Sequence, residues 1–292
     1  MNGRFSFQVF SIKIQSIFVW LILGSLLLSC NGSEDVDMSD DIEYQELVYG
    51  EHGLKLDLWR SSNIKYPDKI LLFVHGGLWY CGDKSLWPQS VAESLAKNGF
   101  MSASINYRLY PDGDIHDQLM DIRDAIDFLS SEIYRISNVR PSIYLVGHSS
   151  GAHLVSLYSA LFCETDDRIS GVVCFDGGEY LTENPDDMDA SPSYRYIKDR
   201  FLKACATTPP INNIPYFNFK GSSYIAPILL VCQRDDDYRF EPNSKLFRLL
   251  QSLSVDVSFL PVIGYSHDTI YLGIADSDSE MFNSLKLFLE NH

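Results

Sequence analysis

From Glu43 onward, short β-rich runs alternate with segments whose apolar residues recur every three or four positions. Period two marks strands and period 3.6 marks helices, so the alternation itself predicts an α/β fold. The predicted strands are Glu46–Tyr49, Leu54–Trp59, Ile70–Val74, Met101–Ile105, Ser142–Val146, Gly171–Phe175, Ile228–Cys232 and Val255–Leu260. Ile70-Leu71-Leu72-Phe73-Val74 and Ile228-Leu229-Leu230-Val231-Cys232 are apolar throughout. A strand reads that way when helices cover both of its faces. Between the strands, Ile115, Leu119, Ile122, Ile126, Leu129 and Ile133 form one helical stripe. Ser85–Lys97, Gly151–Phe162, Pro242–Leu253 and Ser279–Leu289 carry similar patterns. The predicted architecture is a mostly parallel, eight-stranded sheet with helices on both faces.

One interval has no period. Asp176 to Pro227 carries an acidic patch (Glu183, Asp186, Asp187, Asp189) and then seven aromatics from Tyr194 to Tyr224. An irregular stretch of that length inside a domain reads as a lid-like insert. Its aromatic residues pack the insert onto the sheet or stack on a substrate.

The first thirty residues have a different pattern. Arg4 and Lys13 precede an apolar run from Ile17 to Leu28, about twelve residues where a membrane-spanning helix needs roughly 20. A charged start, a short apolar middle and a small residue at the end read as an export signal over residues 1–29. The ending Leu27-Leu28-Ser29-Cys30 resembles the lipobox of bacterial lipoproteins, which implies acylation of Cys30. The acidic run Glu34-Asp35-Val36-Asp37 then reads as part of a tether over residues 30–43, and it resembles the export tag of some surface lipoproteins. The domain itself would span residues 44–292. The expected location is exported and lipid-anchored to a bacterial membrane, with the outer membrane or cell surface as one form of that.

Composition narrows the function. The 292 residues are 46% hydrophobic and 21% charged, which excludes a disordered chain. Lys and Arg number 23 against 39 Asp and Glu, a net charge of −16, so no nucleic acid partner is expected. The six cysteines lack Cys/His ligand spacing, so no structural metal site is expected either. With Cys30 acylated, Cys81, Cys163, Cys174, Cys205 and Cys232 remain, mostly as buried thiols, with room for one disulfide.

The densest chemistry lies in Ser142-Ile143-Tyr144-Leu145-Val146-Gly147-His148-Ser149-Ser150-Gly151-Ala152-His153-Leu154. It reads strand, then Gly-x-Ser-x-Gly, then helix. The serine occupies a tight turn where a side chain at either flanking position would clash. Ser149 is therefore the candidate nucleophile, and a serine hydroxyl needs a base. His267, in Gly264-Tyr265-Ser266-His267-Asp268 after the last predicted strand, is the candidate base. His148 flanks the serine and is expected to point away from the pocket. His153 is expected to be a packing residue. The orienting carboxylate is sought after Ile228–Cys232, where Asp235, Asp236 and Asp237 stand in a row. Val74-His75-Gly76-Gly77-Leu78-Trp79 follows a buried strand, and paired glycines let backbone N–H groups approach a developing oxyanion. The N–H of Ser150 would supply a further donor.

Together these motifs resemble the α/β-hydrolase superfamily. More narrowly they resemble its carboxylesterase/lipase-like branch, with the feruloyl-esterase-like domain and kynurenine formamidase. The resemblance runs from about Leu54 to the C-terminus and adds Gly82-Asp83-Lys84 and Asn106-Tyr107-Arg108-Leu109 to the motifs above. It implies oxyanion donors at Gly77 and Leu78. Aligning Asn243-Ser244 with the family's helix start implies Asp236 as the triad acid, with Asp235 second. It also implies a structural ion pair between Arg108 and Asp121. Gln233 departs from the family's usual glycine before the acid.

The expected activity is a serine hydrolase that cleaves carboxylic esters through Ser149, Asp236 and His267, with no cofactor. A lipid anchor would place its small-molecule or oligosaccharide ester substrate outside the cytoplasm, which points to acetyl or feruloyl esters of polysaccharides. The alternatives are an amidase or peptidase on the same fold, and an inactive glycan-binding or scaffold lipoprotein. Oligomeric state is not legible.

Overall fold

The apolar runs fill the middle of one sheet. In the computed structural model, which describes residues 42–63, 68–177 and 224–292, the central strands are β3 (Lys69–Val74), β4 (Met101–Ile105), β5 (Ser142–His148), β6 (Ile169–Phe175) and β7 (Ile228–Gln233). β1 (Ile42–Tyr49), β2 (Leu54–Ser61) and β8 (Val257–Val262) complete it. The order is β1-β2-β4-β3-β5-β6-β7-β8. β1 and β2 pair antiparallel, as do β2 and β4, and every other pair is parallel. The predicted mostly parallel, eight-stranded sheet is the one observed.

Period two divides each central strand between two cores. Ile70, Leu72, Val74, Ile143 and Leu145 join a cluster covered by α2 (Ile115–Ser137), α3 (Ser150–Phe162) and α4 (Asp237–Ser252). Leu71, Phe73, Tyr144, Val146, Val173 and Phe175 join the opposite cluster, covered by α1 (Gln89–Lys97) and α5 (Glu280–Asn291). The predicted stripe on α2 is buried along its length. Local chemistry fixes both ends of that helix. Asp114 and Asp117 form a reciprocal capping box, and Asn138 closes the C-terminus in the left-handed region at φ 56°. The Arg108 guanidinium grips the buried Asp121 carboxylate at 2.9–3.0 Å, the pair that the resemblance implied. Cys163, Cys174 and Cys232 are buried free thiols.

Three sequence boundaries move. β1 begins at Ile42, inside the stretch assigned to the tether. Asp176, one residue past β6, is still tied to the sheet rather than to the insert, because its N–H donates to the Val231 carbonyl at 2.8 Å. α4 begins at Asp237, not Pro242, and tolerates the proline inside it. The export signal, Cys30, Cys205 and most of the insert (178–223) lie outside the described residues. Among the described residues, no helix is long and apolar enough to cross a membrane.

The strands β3 to β8 all point the same way, and only β2 runs against them, since β1 is in turn antiparallel to β2. The loops after β3, β5, β6, β7 and β8 therefore open on one edge, where sites of such sheets are built. Leu72, fully buried at the centre of β3, tests the core. Leu72→Ala should lower the unfolding free energy by about 2–5 kcal/mol in urea titration without changing the sheet's far-UV signature.

Candidate active site

β5 ends in a turn that only a particular set of residues permits. Ser149 has φ 54° and ψ −122°, a strained backbone for a residue with a side chain, of a kind that costs on the order of 1–3 kcal/mol. Two hydrogen bonds hold it: Ser149 N–H donates to the Phe175 carbonyl at 3.0 Å, and His153 N–H donates to the Ser149 carbonyl at 3.2 Å. The flanking glycines have no room for a side chain. A Cβ on Gly147 would lie 2.4 Å from the Gly151 carbonyl oxygen, and a Cβ on Gly151 would lie 2.1 Å from that of Val74. The second clash links two motifs: the helix after Ser149 packs on the strand end that precedes Gly76-Gly77.

His267 sits on a turn after β8 that Thr269 N–H closes by donating to the Ser266 carbonyl at 3.0 Å. Its Nε2 lies 3.0 Å from Ser149 Oγ. Its Nδ1 lies 3.1 Å from Asp176 Oδ2. The structure thus brings together the predicted serine and histidine with a carboxylate that the sequence reading did not select. Asp176 is fully buried. Oδ1 accepts from the Gln233 backbone N–H at 2.9 Å and Oδ2 from the Gln233 side-chain amide at 2.7 Å. Burial pushes its pKa up, but the hydrogen bonds and charge of His267 and the two Gln233 donors outweigh that, and the net shift is downward. Asp176 is therefore an ionised acceptor aimed at Nδ1, which leaves Nε2 to accept a proton from Ser149.

Asp236 does different work. It is the N-cap of α4, with Oδ1 accepting from Tyr238 N–H at 2.9 Å, and it makes no hydrogen bond to His267. Because α4 starts five residues earlier than the pattern suggested, the aspartate row is spent on starting the helix. Asp235 is likewise not bonded to His267. A visible signal did exist for Asp176: it directly follows a buried strand, as Ser149 does. Gln233, the departure from the family pattern, is what replaces the expected arrangement.

The donor loop is also in place. A Cβ on Gly76 would lie 3.0 Å from Ser149 Cβ, so this backbone runs against the nucleophile turn. Gly77 at φ 129° and Leu78 at φ 54° turn the chain back, with the Gly77 carbonyl accepting from Tyr80 and Cys81 N–H groups. Gly77 and Leu78 N–H donate to no acceptor among the described residues, and Ser150 N–H opens α3, where it has no intrahelical partner. Tyr107 stacks on His75 at 4.3 Å and its hydroxyl donates to the His75 carbonyl, which fixes the loop's base. His153 packs edge-on against Trp79, the packing role expected of it. His148 does not point away. Its Nε2 lies 2.7 Å from the His267 carbonyl oxygen.

A mostly parallel sheet with a strained serine between β5 and α3 and a histidine after β8 is the arrangement of the α/β-hydrolase fold. Residues 56–187 match the family model described as BD-FAE. A probable isoprenylcysteine alpha-carbonyl methylesterase of Oryza sativa subsp. japonica is 34% identical over 113 residues, 38% of this chain and 27% of that one. The kynurenine formamidase of Danio rerio is 24% identical over 246 residues, 80% of this chain and 77% of that one. Among solved structures, a fungal esterase from Rhizomucor miehei superposes with a TM-score of 0.65 at 18% identity, covering 86% of this chain and 83% of its own. An esterase from Pyrobaculum calidifontis gives 0.65 at 17% identity, covering 84% and 83%. The chain is thus similar to carboxylesterase-like members of the α/β-hydrolase superfamily. It spans 24–27% of the length of the first four curated relatives it matches.

Three histidines at or near this edge are buried uncharged. Burial lowers His75 to about 4 and His148 and His153 to about 3. An unfolded histidine takes up its proton near ~6.5. Below that value the unfolded chain binds protons that the folded chain refuses, so stability is complete above pH 6.5 and falls as the pH drops toward 4. Each histidine contributes up to about 1.4 kcal/mol per pH unit in that window. Urea midpoints measured at pH 7.5, 6 and 5 should decline in that order, and a midpoint that holds or rises at pH 5 contradicts the buried neutral rings.

Proposed function

We propose that the protein is a serine hydrolase of carboxylic esters, with Ser149 as nucleophile, His267 as general base and Asp176 as the orienting carboxylate. The observation that carries this is the unbroken hydrogen-bond chain from Asp176 Oδ2 through both ring nitrogens of His267 to Ser149 Oγ, at 3.1 and 3.0 Å. Ser149 Oγ attacks the ester carbonyl while His267 Nε2 takes its proton. N–H groups of Gly77, Leu78 and Ser150 hold the oxyanion. The imidazolium, stabilised by Asp176, returns the proton to the leaving alkoxide. Water, deprotonated by His267 in turn, releases the acid from the acyl-enzyme. The esterase names of the relatives support an ester as the scissile group.

Amide hydrolysis is the second reading, favoured by the formamidase relative, which this chain matches over most of its length. The same residues would then protonate a leaving amine. Comparing p-nitrophenyl acetate with formanilides and aminoacyl anilides separates the two. An inactive glycan-binding or scaffold role fits poorly with a paired serine, histidine and carboxylate, and fluorophosphonate labelling of Ser149 would exclude it.

The export signal and the Cys30 lipobox support a lipid-anchored enzyme outside the cytoplasm of a bacterium. Acetyl or feruloyl groups on polysaccharides are the substrates that this location favours. Cys30→Ser should move the protein from the detergent phase to the aqueous phase in a partition assay, and a variant that stays in the detergent phase argues against acylation there.

The acid assignment has its own test. Asp176→Asn should lower kcat on p-nitrophenyl acetate by about 10³–10⁴-fold, comparable with the loss in Ser149→Ala. Asp236→Asn keeps an efficient helix cap, so its kcat should stay within about twofold. Equal losses in Asp176→Asn and Asp236→Asn would remove the assignment.

A further inference from the structure

The residue preceding the nucleophile is held in a way the reaction above does not use. His148 Nε2 lies 2.7 Å from the His267 carbonyl oxygen. A carbonyl oxygen only accepts, so Nε2 must carry the proton, and Nδ1 of this uncharged ring is bare. The ring is wedged in place. Its centroid lies 4.6 Å from that of His267 and 5.0 Å from that of Tyr271, which itself packs at 4.8 Å on the buried Trp87. On its other side a Cβ on Gly76 would come within 3.0 Å of His148 Nδ1. The ring therefore fills the space between the oxyanion loop and the turn that carries His267.

Two contacts orient the His267 ring, one at Asp176 and one at Ser149, but neither anchors the backbone that carries it. That backbone leaves β8, three strands away from β5 in the sheet, and the hydrogen bonds between Ser266 and Thr269 close its turn on itself. The His148 bond ties it to the strand end that presents Ser149. We propose that His148 is a positioning residue, a neutral donor that fixes the His267 backbone to the nucleophile's own strand so that base and serine move as one unit. This rests on the ester-hydrolase reading of the same site. The chemistry of the donor suits the cycle. His267 gains a positive charge each time it accepts the serine proton, and a lysine or arginine at position 148 would oppose that charge. An uncharged imidazole N–H adds a hydrogen bond without opposing it.

Loss of the bond should act on the chemical step and leave substrate binding nearly alone. His148→Leu keeps comparable bulk and removes the donor. It should lower kcat on p-nitrophenyl acetate by about 10–100-fold with KM within about twofold, the scale of a misplacement near 1 Å. Labelling of Ser149 by a fluorophosphonate should slow in parallel. His148→Gln, whose amide reaches a similar point, should recover most of the loss, which a purely space-filling role would not produce. In the unaltered chain, ¹⁵N shifts of the His148 ring at pH 7 should report the neutral Nε2–H tautomer. A parental kcat in His148→Leu, an equal loss in His148→Gln, or an Nδ1–H tautomer would each overturn the proposal. The tautomer measurement needs neither turnover nor a folded variant. It decides the matter when His148→Leu fails to fold, and it separates failure of this proposal from absence of esterase activity.

Discussion

Burying an ionised carboxylate is expensive unless donors surround it, and the site depends on how that is met at Asp176. Its side chain is wholly removed from solvent, yet both oxygens are occupied: Gln233 gives two N–H groups and His267 gives one. The third donor is the functional one. Because Gln233 satisfies Asp176 from the floor of the sheet, the lone pair left for His267 has one direction, and the imidazole is forced into the tautomer that offers Nε2 to Ser149. A glycine at position 233 could supply the backbone donor but not the amide. The departure from the family pattern and the unexpected position of the carboxylate are thus one change seen at two places in the chain.

The sheet explains why that change is geometrically available. β5, β6 and β7 are adjacent and parallel, with Phe175 in register with both His148 and Val231. The residue one step past β6 therefore stands between the strand that carries the nucleophile and the strand that carries Gln233. A carboxylate there reaches a histidine lying over the edge as readily as one presented after β7. Once β6 supplies the carboxylate, the residues after β7 are released for another task, and Asp236 caps α4.

Features set by neighbours in sequence were readable without coordinates. The strand-turn-helix around Ser149 needs only its two glycines and a buried strand before them, and the double core follows from period two in β3 and β5. The stripe on α2 is equally legible, whereas the pairing of Arg108 with Asp121 follows from the family resemblance and not from the pattern. What failed was wherever two signals competed for the same residues. The helical pattern begins at Pro242, whereas Asp236 and its bond to Tyr238 N–H start α4 earlier. The apolar run ends at Phe175, so periodicity alone assigns Asp176 to the irregular interval, and only its place directly after a buried strand marks it out. His148, expected to face away from the pocket, ends β5 and meets the His267 carbonyl, a contact between residues 119 positions apart that no local pattern reports.

The strand order sets one further condition. From β5 to β8 is three strand spacings, roughly 14 Å at the usual separation, and the imidazole must cross that span over the open edge. No ladder hydrogen bond of β8 can act at such a distance, so precision has to come from the far side. It does: the ring is held from β6 by Asp176, and the backbone is held from β5 by His148. His148 ends β5 and Asp176 lies one residue past β6, two adjacent strands buried along nearly their whole length. A loop can thus carry the base, because its position is set by the strands it visits as well as by the strand it leaves.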